Sequence, residues 1–430
     1  MLVFIVFGCV LLYYIFNKKP VNIFNPMVMF TALWTLILCL SNLQLYGLYD
    51  FSNSAEQLIE LGTVFFGLAF IIYSEFIKLL HPNRLHHNLS CSTNVVPRYL
   101  VLYFLGLVCL MYFLPTFLSS IEMLIKGGSF NTIRILVQSE TDGSGINNLL
   151  QNFIVLPSAI VIEIVAVVDF WFGRRDRLLF ILNMIIIFMR IIADGGRTPI
   201  VDLLIYMALG YLLFRRQGKH IVFGNKELQV KVKRYFILIF IVIFIITLSR
   251  TSSTIFRQFY FYFAMTPVLL TKWMGIVDGQ NFITHGLSST NGLWFTLSYF
   301  LKNLFGIDYF KSISDSYAMI ALTDSRWLPI AIGNINANAY VSAFWFLYTD
   351  ARLLGVLVGM FLYGLIVARS YWNIFLRFNQ QSISIYFLIY QGLIFSFIRM
   401  PFAKPYYVIA LVILLIIFRK DGKQEKLTIN

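Results

Sequence analysis

Long runs of apolar residues separated by polar joints are the dominant pattern along the chain. As helices at about 1.5 Å per residue, such runs approach or cross a hydrocarbon core of about 30 Å. They cover residues 1–16, 26–48, 58–80, 99–120, 152–172, 178–193, 198–214, 235–249, 340–367, 383–398 and 405–418. The pattern predicts an all-α, polytopic integral membrane protein with about eleven transmembrane helices, or twelve if residues 255–277 add another.

Most basic joints fall on one side of the predicted helices. They are residues 17–20, 81–98, 173–177, 215–234, 369–377 and 419–426. Because cytoplasmic loops carry an excess of Lys and Arg, this side is predicted to be cytoplasmic. The N-terminus is then outside, the C-terminus is cytoplasmic, and the protein is predicted to lie in a plasma membrane.

One joint on the outer side is far longer than a turn, and it divides the chain into three segments. These are helices one to eight in 1–249, the large extracytoplasmic loop 250–339, and helices nine to eleven with a basic tail in 340–430. Long unstructured loops are rare in compact proteins, so this loop should fold. Its aromatic part, 255–277, is predicted as an interfacial helix, a re-entrant pair, or a membrane segment broken at Pro267. Residues 292–307 form a second amphipathic candidate.

Composition agrees with this class and excludes others. Of the 430 residues, 59% are hydrophobic and only 13% are charged, which leaves too little polar cover for a soluble domain of this size. The net charge of +14 is expected from basic cytoplasmic loops, so no nucleic-acid partner is predicted. The chain has no Walker loop, no dinucleotide glycine pattern and no metal-ligand spacing, so neither a cofactor nor a metal is predicted.

The stretch Arg190–Ile200 joins two predicted helices through a very tight turn at the membrane surface. Residues 194–199 read Asp-Gly-Gly-Arg-Thr-Pro. The two glycines, Gly195 and the next residue, permit the left-handed backbone angles that such a turn needs. Thr198 is the predicted N-cap, and the proline after it is the predicted first helical residue.

Two arginines of this stretch lie where an anionic group would bind. Arg197 is placed at the N-terminus of a helix, and Arg190 lies about two turns inside the preceding helix, where a charge is costly and usually functional. The alternative for Arg197 is an ion pair with Asp194 that pins the turn. The alternative for Arg190 is neutralisation by the intramembrane acids Glu163 and Asp202.

Further arginines lie on the outer side, against the usual charge bias. Those chosen as candidates are Arg250, Arg257, Arg326, Arg352 and Arg399. Arginine at headgroup depth is suited to bidentate contact with phosphate or pyrophosphate. For any single residue, contact with anionic lipid headgroups is the alternative. As a group with Arg190 and Arg197, they predict a polyanionic ligand.

The chain resembles the Wzy-type O-antigen and capsular polysaccharide repeat-unit polymerases in three features. One is the turn at 194–199 between two closely linked helices. Another is the single large outer loop before the ninth helix. The third is the run Asn336–Gly355, which resembles the family's sequence of asparagine, helix, acid and glycine after that loop. By topology, the resemblance covers nearly the whole chain.

This resemblance implies a metal-independent glycosyltransferase with a C-type fold, no cofactor and its active site outside a bacterial inner membrane. Such enzymes move a growing glycan from one undecaprenyl diphosphate onto a new lipid-linked repeat unit. Implied partners are the undecaprenyl-diphosphate-linked oligosaccharide, membrane lipids and a chain-length regulator protein. The arginines would stabilise the leaving diphosphate, and Asp315, Asp324 or His285 would be the base for the acceptor hydroxyl.

Other functions fit parts of the pattern. An O-antigen ligase, which joins finished glycan to a lipid core, shares the large outer loop and relies on a histidine there. His285 is the outward candidate, although a histidine in a Gly/Ser/Thr-rich loop is more often simply solvated. A lipid-linked oligosaccharide flippase or other transporter should show two related halves and charges at the midplane. This chain shows no halves and its unusual charges gather at one face, which favours an enzyme.

Overall fold

The computed structural model describes Gly8 and residues 24–81, 95–127, 145–216, 255–308 and 310–420. Its α-helices are α1 (Pro26–Asn42), α2 (Asn53–Leu80), α3 (Tyr99–Ile125), α4 (Gly145–Leu150), α5 (Leu156–Phe172), α6 (Arg177–Asp194), α7 (Thr198–Arg216), α8 (Ile255–Ala264), α9 (Thr266–Gly279), α10 (Asn291–Phe305), α11 (Lys311–Ser325), α12 (Ser342–Leu376), α13 (Gln380–Ile394) and α14 (Pro405–Ile416). Its strands are β1 (Val95–Pro97), β2 (Leu328–Ala331), β3 (Ile335–Ala337) and β4 (Phe418–Lys420). The predicted all-α class is confirmed.

Nine of the predicted apolar runs coincide with helices, because continuous hydrophobic stretches of this length have few alternatives to helix in a membrane. Of the other two, residues 1–16 are described only at Gly8, and residues 235–249 lie outside the described residues. Five described helical stretches are long and apolar enough to cross a membrane: Asn53–Leu80, Tyr99–Ile125, Gln151–Phe172, Thr198–Arg216 and Ser342–Leu376. This is the length and composition of a multi-pass membrane protein. The number of crossings and the sidedness stay predictions.

The chain forms two compact units, each built from separate stretches of sequence. Unit 1 comprises Met1–His87, Phe256–Leu376 and Ile389–Val408, and unit 2 comprises Asn88–Ile255, Arg377–Leu388 and Ile409–Asn430. The three predicted segments describe order along the chain, whereas the units describe packing. The units therefore cut across the segment boundaries.

The core of unit 1 is the packing of α2 against α12. Two glycines allow the helices to approach closely, since small residues let helix backbones touch. A Cβ atom on Gly364 would lie 2.6 Å from the Phe66 carbonyl oxygen, and one on Gly62 would collide with the Phe344 ring. The rings of Trp34 and Phe344, with centroids 4.7 Å apart, extend this core to α1.

The aromatic stretch at the start of the large predicted loop folds as α8 and α9, which meet at Met265. Pro267 lies in the first turn of α9, so the predicted break is found there. Trp273 on α9 is fully buried in unit 1 and contacts Trp345 of α12, with ring centroids 5.9 Å apart. The interfacial, re-entrant and membrane-spanning alternatives for this stretch stay predictions.

Unit 2 contains α3 to α7 and ends in a short antiparallel ladder that pairs Val95 of β1 with Lys420 of β4. The tight turn between α6 and α7 follows the prediction in one respect, since Gly195 adopts a left-handed φ of 56° after Asp194. The N-cap prediction was wrong by one residue. The Arg197 carbonyl accepts the N–H groups of Ile200 and Val201, so Thr198 is already helical.

Replacing Gly364 with Ala should destabilise unit 1 by about 1–3 kcal/mol, because the new methyl group meets the Phe66 backbone. The matched control is Gly275→Ala on α9, where an added Cβ meets nothing within 4 Å. There, alanine's better helix propensity should leave stability unchanged or raise it by up to about 1 kcal/mol. Thermal unfolding of both variants in detergent checks this. Equal midpoints for the two variants would contradict the proposed helix contact.

Candidate functional site

The run Asn336–Gly355 contains a break in α12 rather than a continuous helix. Ala351 has φ −159° and ψ 40°, and Arg352 has φ 54° and ψ −139°. A positive φ at an arginine is uncommon and persists only where surrounding contacts enforce it. Strained backbone of this kind clusters at functional or structural junctions. The contacts of the two charged residues at the break show what enforces it.

Asp350 fixes a neighbouring loop to the break. Its carboxylate is buried and accepts hydrogen bonds from the Thr284 hydroxyl at 2.6 Å and from the backbone N–H groups of Ser288 at 2.8 Å and Ser289 at 3.2 Å. The Asp350 backbone carbonyl, freed from the helix, accepts the His285 N–H at 2.9 Å. Charge-assisted bonds of this kind are among the stronger ones in proteins. The loop is therefore held against α12.

The same loop connects the break to α11. The hydroxyls of Ser288 and Ser316 lie 3.1 Å apart, and the Asn291 side-chain amide donates to the Ser316 hydroxyl at 3.4 Å. All of these groups are buried. Because buried polar groups that bond one another fix a single arrangement, this chain of contacts sets the position of α11. That helix carries Asp315 and, in its last turn, Asp324.

Arg352 braces the end of α9. Its Nε lies 3.0 Å from the Asp278 carboxylate, and its two terminal nitrogens donate to the carbonyls of Phe282 at 3.0 Å and Val277 at 3.2 Å. The Tyr348 hydroxyl donates to Asp278 at 2.8 Å. The guanidinium nitrogens of Arg352 thus have acceptors within the protein, which favours a structural role; its contact with a diphosphate stays a prediction.

A second charged group, the Arg399 cluster, consists of Asp324, Arg399 and Lys404. The Asp324 carboxylate pairs with the Arg399 guanidinium through one oxygen and lies 3.4 Å from the Lys404 ammonium through the other. Both cations lie in the short connection between α13 and α14, a joint closed by two 3-10 turns. Two residues predicted separately as a base and as a diphosphate ligand, Asp324 and Arg399, are thus in contact.

Neighbouring backbone holds the cluster in place. The Asn338 side-chain amide donates to the Asp324 carbonyl, and the Ala339 N–H donates to the Thr323 carbonyl at 2.9 Å. At the N-terminus of α10, a Cβ atom on Gly292 would lie 2.6 Å from the Lys404 carbonyl oxygen. The absence of a side chain at Gly292 therefore permits the close approach of α10 to the cation-bearing connection.

The Arg399 cluster has an excess of positive charge and an unused donor. Two cations face one carboxylate, and only 11% of the Arg399 side chain is exposed. Its Nη1 is buried with no hydrogen-bond partner among the described residues. Burial lowers the pKa of Arg399 to about 10. Burial, and then the charge of Arg399, hold the pKa of Lys404 well below its usual range. Binding of an anion would stabilise this cluster, because the anion would accept a hydrogen bond from Nη1 of Arg399 and offset the repulsion between Arg399 and Lys404.

The other predicted residues of unit 1 are not part of this cluster. His285 and Asp315 are exposed, and neither makes a hydrogen bond or ion pair with the cluster within the described ranges. Arg326 is exposed just after α11, two residues beyond Asp324, and the exposed Trp327 follows it. Arg257 is half-buried on α8. Arg250 lies outside the described residues.

Arg190 and Arg197 belong to unit 2. Arg197 is half-buried at the start of α7, as the turn predicted. Arg190 is buried inside α6 and interacts electrostatically with Glu163 of α5. This favours the alternative in which a buried acid balances Arg190.

Lys404 was absent from the predicted site although the sequence contains a signal for it. It is separated from Arg399 by only four residues, and the two cations bracket a proline-containing joint between two apolar helices. No group of His, Cys, Asp and Glu within the described residues has a geometry that could hold a metal ion.

The comparisons with known proteins add no relative. No protein-family profile matches the chain, and no curated protein or solved structure shows significant similarity to it.

Replacing Arg352 with Ala should destabilise the protein by about 2 kcal/mol or more, because Asp278 and two carbonyl oxygens lose a charged donor. Arg352→Gly should be less harmful by about 1 kcal/mol, since glycine adopts the positive φ without strain. Thermal unfolding in detergent measures both. Lys126→Ala, which removes an exposed ion pair, is the control and should change little. A wild-type midpoint for Arg352→Ala would show that the brace is dispensable.

Pyrophosphate binding should weaken as the pH rises, and it should do so at a lower pH than in a site that uses a lysine with an ordinary pKa. Because the pKa of Lys404 is lowered, its charge is complete below that pKa and is lost as the pH rises through it. In Lys404→Arg, the guanidinium keeps its charge to higher pH, so the loss should move upward. Calorimetric titration of the purified protein with pyrophosphate at several pH values gives both curves. Identical curves would exclude Lys404 as the titrating group.

Proposed function

We propose that this protein is a membrane glycosyltransferase that polymerises undecaprenyl-diphosphate-linked oligosaccharide repeat units into O-antigen or capsular polysaccharide. The observation that carries the proposal is the Arg399 cluster, a half-buried group of two cations and one acid with an unused guanidinium donor. A diphosphate leaving group needs this kind of charge stabilisation. The multi-pass helical architecture, which would bring a lipid-linked substrate to the site, and the resemblance to Wzy-type polymerases support the same function.

In the proposed reaction, the bond between the anomeric carbon of the donor glycan and its diphosphate oxygen breaks. A bond from that carbon to a hydroxyl of the acceptor repeat unit forms, and the hydroxyl proton goes to a base. Undecaprenyl diphosphate leaves, with its new negative charge paired by Arg399 and Lys404. Positioned donors of this type contribute most when they face charge that develops in the transition state.

Asp324 takes a different role from the base that its position in the sequence suggested. Two cations favour its ionised form, so it holds Arg399 and Lys404 in place rather than taking a proton. His285 and Asp315, which are exposed in the same unit, are the remaining candidates for the base. The active site would lie outside a bacterial inner membrane, and a chain-length regulator would be a partner.

The deciding experiment incubates purified protein in detergent with an undecaprenyl-diphosphate-linked oligosaccharide and separates the products by size. The proposal expects a ladder in steps of one repeat unit. One block transferred to a different lipid acceptor would instead identify an O-antigen ligase. An unchanged substrate that crosses the bilayer of a proteoliposome would identify a flippase.

Within that assay, Arg399→Ala should lower the rate by about 10²–10³-fold, the usual effect of removing one donor to a developing anion. Lys302→Ala is the matched control, since this exposed cation in the same unit is already paired with Asp308 at 3.2 Å. It should polymerise at the wild-type rate. A normal ladder from folded Arg399→Ala protein would remove the cluster from the mechanism.

A further inference from the structure

Three ionisable residues are buried together inside unit 2, away from the groups used above. They are Glu163 on α5, Arg190 on α6 and Asp202 on α7, and their exposed fractions are 1%, 7% and 5%. Glu163 interacts electrostatically with both of the others. Other titratable groups nearby are the Cys109 thiol of α3, which is buried and in electrostatic range of Arg190, and Tyr206, which is buried one turn after Asp202 on α7.

The charges of this group do not balance. Two carboxylates and one guanidinium leave one negative charge if all three are ionised. An uncompensated charge is unfavourable in a low-dielectric interior, so such sites neutralise themselves by binding a proton or a cation. No group of described residues has the ligands for a metal ion. A proton is the ligand that this geometry fits.

The hydrogen bonding indicates which carboxyl group holds it. The Oε1 atom of Glu163 is buried with no hydrogen-bond partner among the described residues, and the same is true of Nε of Arg190. A carboxylate oxygen without a donor is poorly stabilised as an anion, whereas a neutral carboxyl group tolerates such a site. Asp202 has a further interaction of its own and is slightly more exposed. Asp202 is therefore the better counter-ion for Arg190.

We propose that Glu163 is a proton-binding site inside unit 2, neutral when loaded, while Asp202 balances Arg190. Release of the proton leaves a second buried carboxylate beside one guanidinium. Binding and release of the proton therefore change the net charge of this buried group by one. Ionisable residues within membrane helices commonly lie on proton or ion pathways. This inference is independent of the glycosyltransferase proposal.

The test uses the full-length protein in lipid nanodiscs and dicyclohexylcarbodiimide, an apolar reagent that modifies protonated carboxyl groups in apolar surroundings. Mass spectrometry should find Glu163 modified at neutral pH, with modification decreasing as the pH rises. Glu122, which is exposed and paired with Lys126, should stay unmodified. Protection of Glu163 by sodium ions at constant pH would overturn the proposal in favour of a cation site.

A second measurement does not depend on reagent access. Infrared spectra should contain a protonated carboxyl band at neutral pH that is lost in Glu163→Gln and kept in Glu122→Gln. Glu163→Gln should also keep the wild-type unfolding temperature, because the amide replaces a neutral carboxyl group of the same shape. Asp202→Asn should lower it, because Arg190 loses its counter-ion. The absence of that band, or an equal loss of stability in both variants, would show that Glu163 is ionised and would overturn the proposal.

Discussion

The constraint behind much of this structure is that backbone N–H and C=O groups removed from water must find partners inside the protein. Regular helix satisfies them automatically, which is why apolar runs become helices. Where α12 breaks at Ala351 and Arg352, the carbonyls of Thr349 and Asp350 are released, and the N–H groups of Thr284 and His285 occupy them. The break in α12 and the loop that contains Thr284 and His285 therefore depend on each other, because each supplies the hydrogen-bond partners of the other.

The same principle separates two arginines that look equivalent in the sequence. Arg352 donates to two carbonyl oxygens and pairs with a carboxylate, so it completes the protein's own hydrogen bonding. Within the part of the chain that the structure describes, Arg399 shares its only carboxylate partner with Lys404 and keeps one buried nitrogen without an acceptor. The number of protein acceptors near a guanidinium decides whether it stabilises the fold or remains ready for a ligand. Charge alone does not distinguish the two cases.

Local features were predictable because their causes are local. Apolar run length gave the helices, and the two-glycine turn gave the left-handed angle at Gly195. The break in α12 was not predictable, since it falls at Ala351 and Arg352 and not at a proline or a glycine. Its cause is a loop more than 60 residues earlier in the chain, as the 66-residue separation of Thr284 from Asp350 illustrates. The pairing of Asp324 with Arg399 likewise joins residues 75 positions apart. Spacing cannot foresee contacts of this range.

The antiparallel ladder of β1 and β4 also bears on how the protein is made. Residues 418–420 leave the ribosome after every helix of the described chain, yet their partner strand precedes α3. Unit 2 also draws residues 377–388 from late in the chain. Unit 2 can therefore complete its packing only after all the described helices have been synthesised. Until then, β1 has no partner strand.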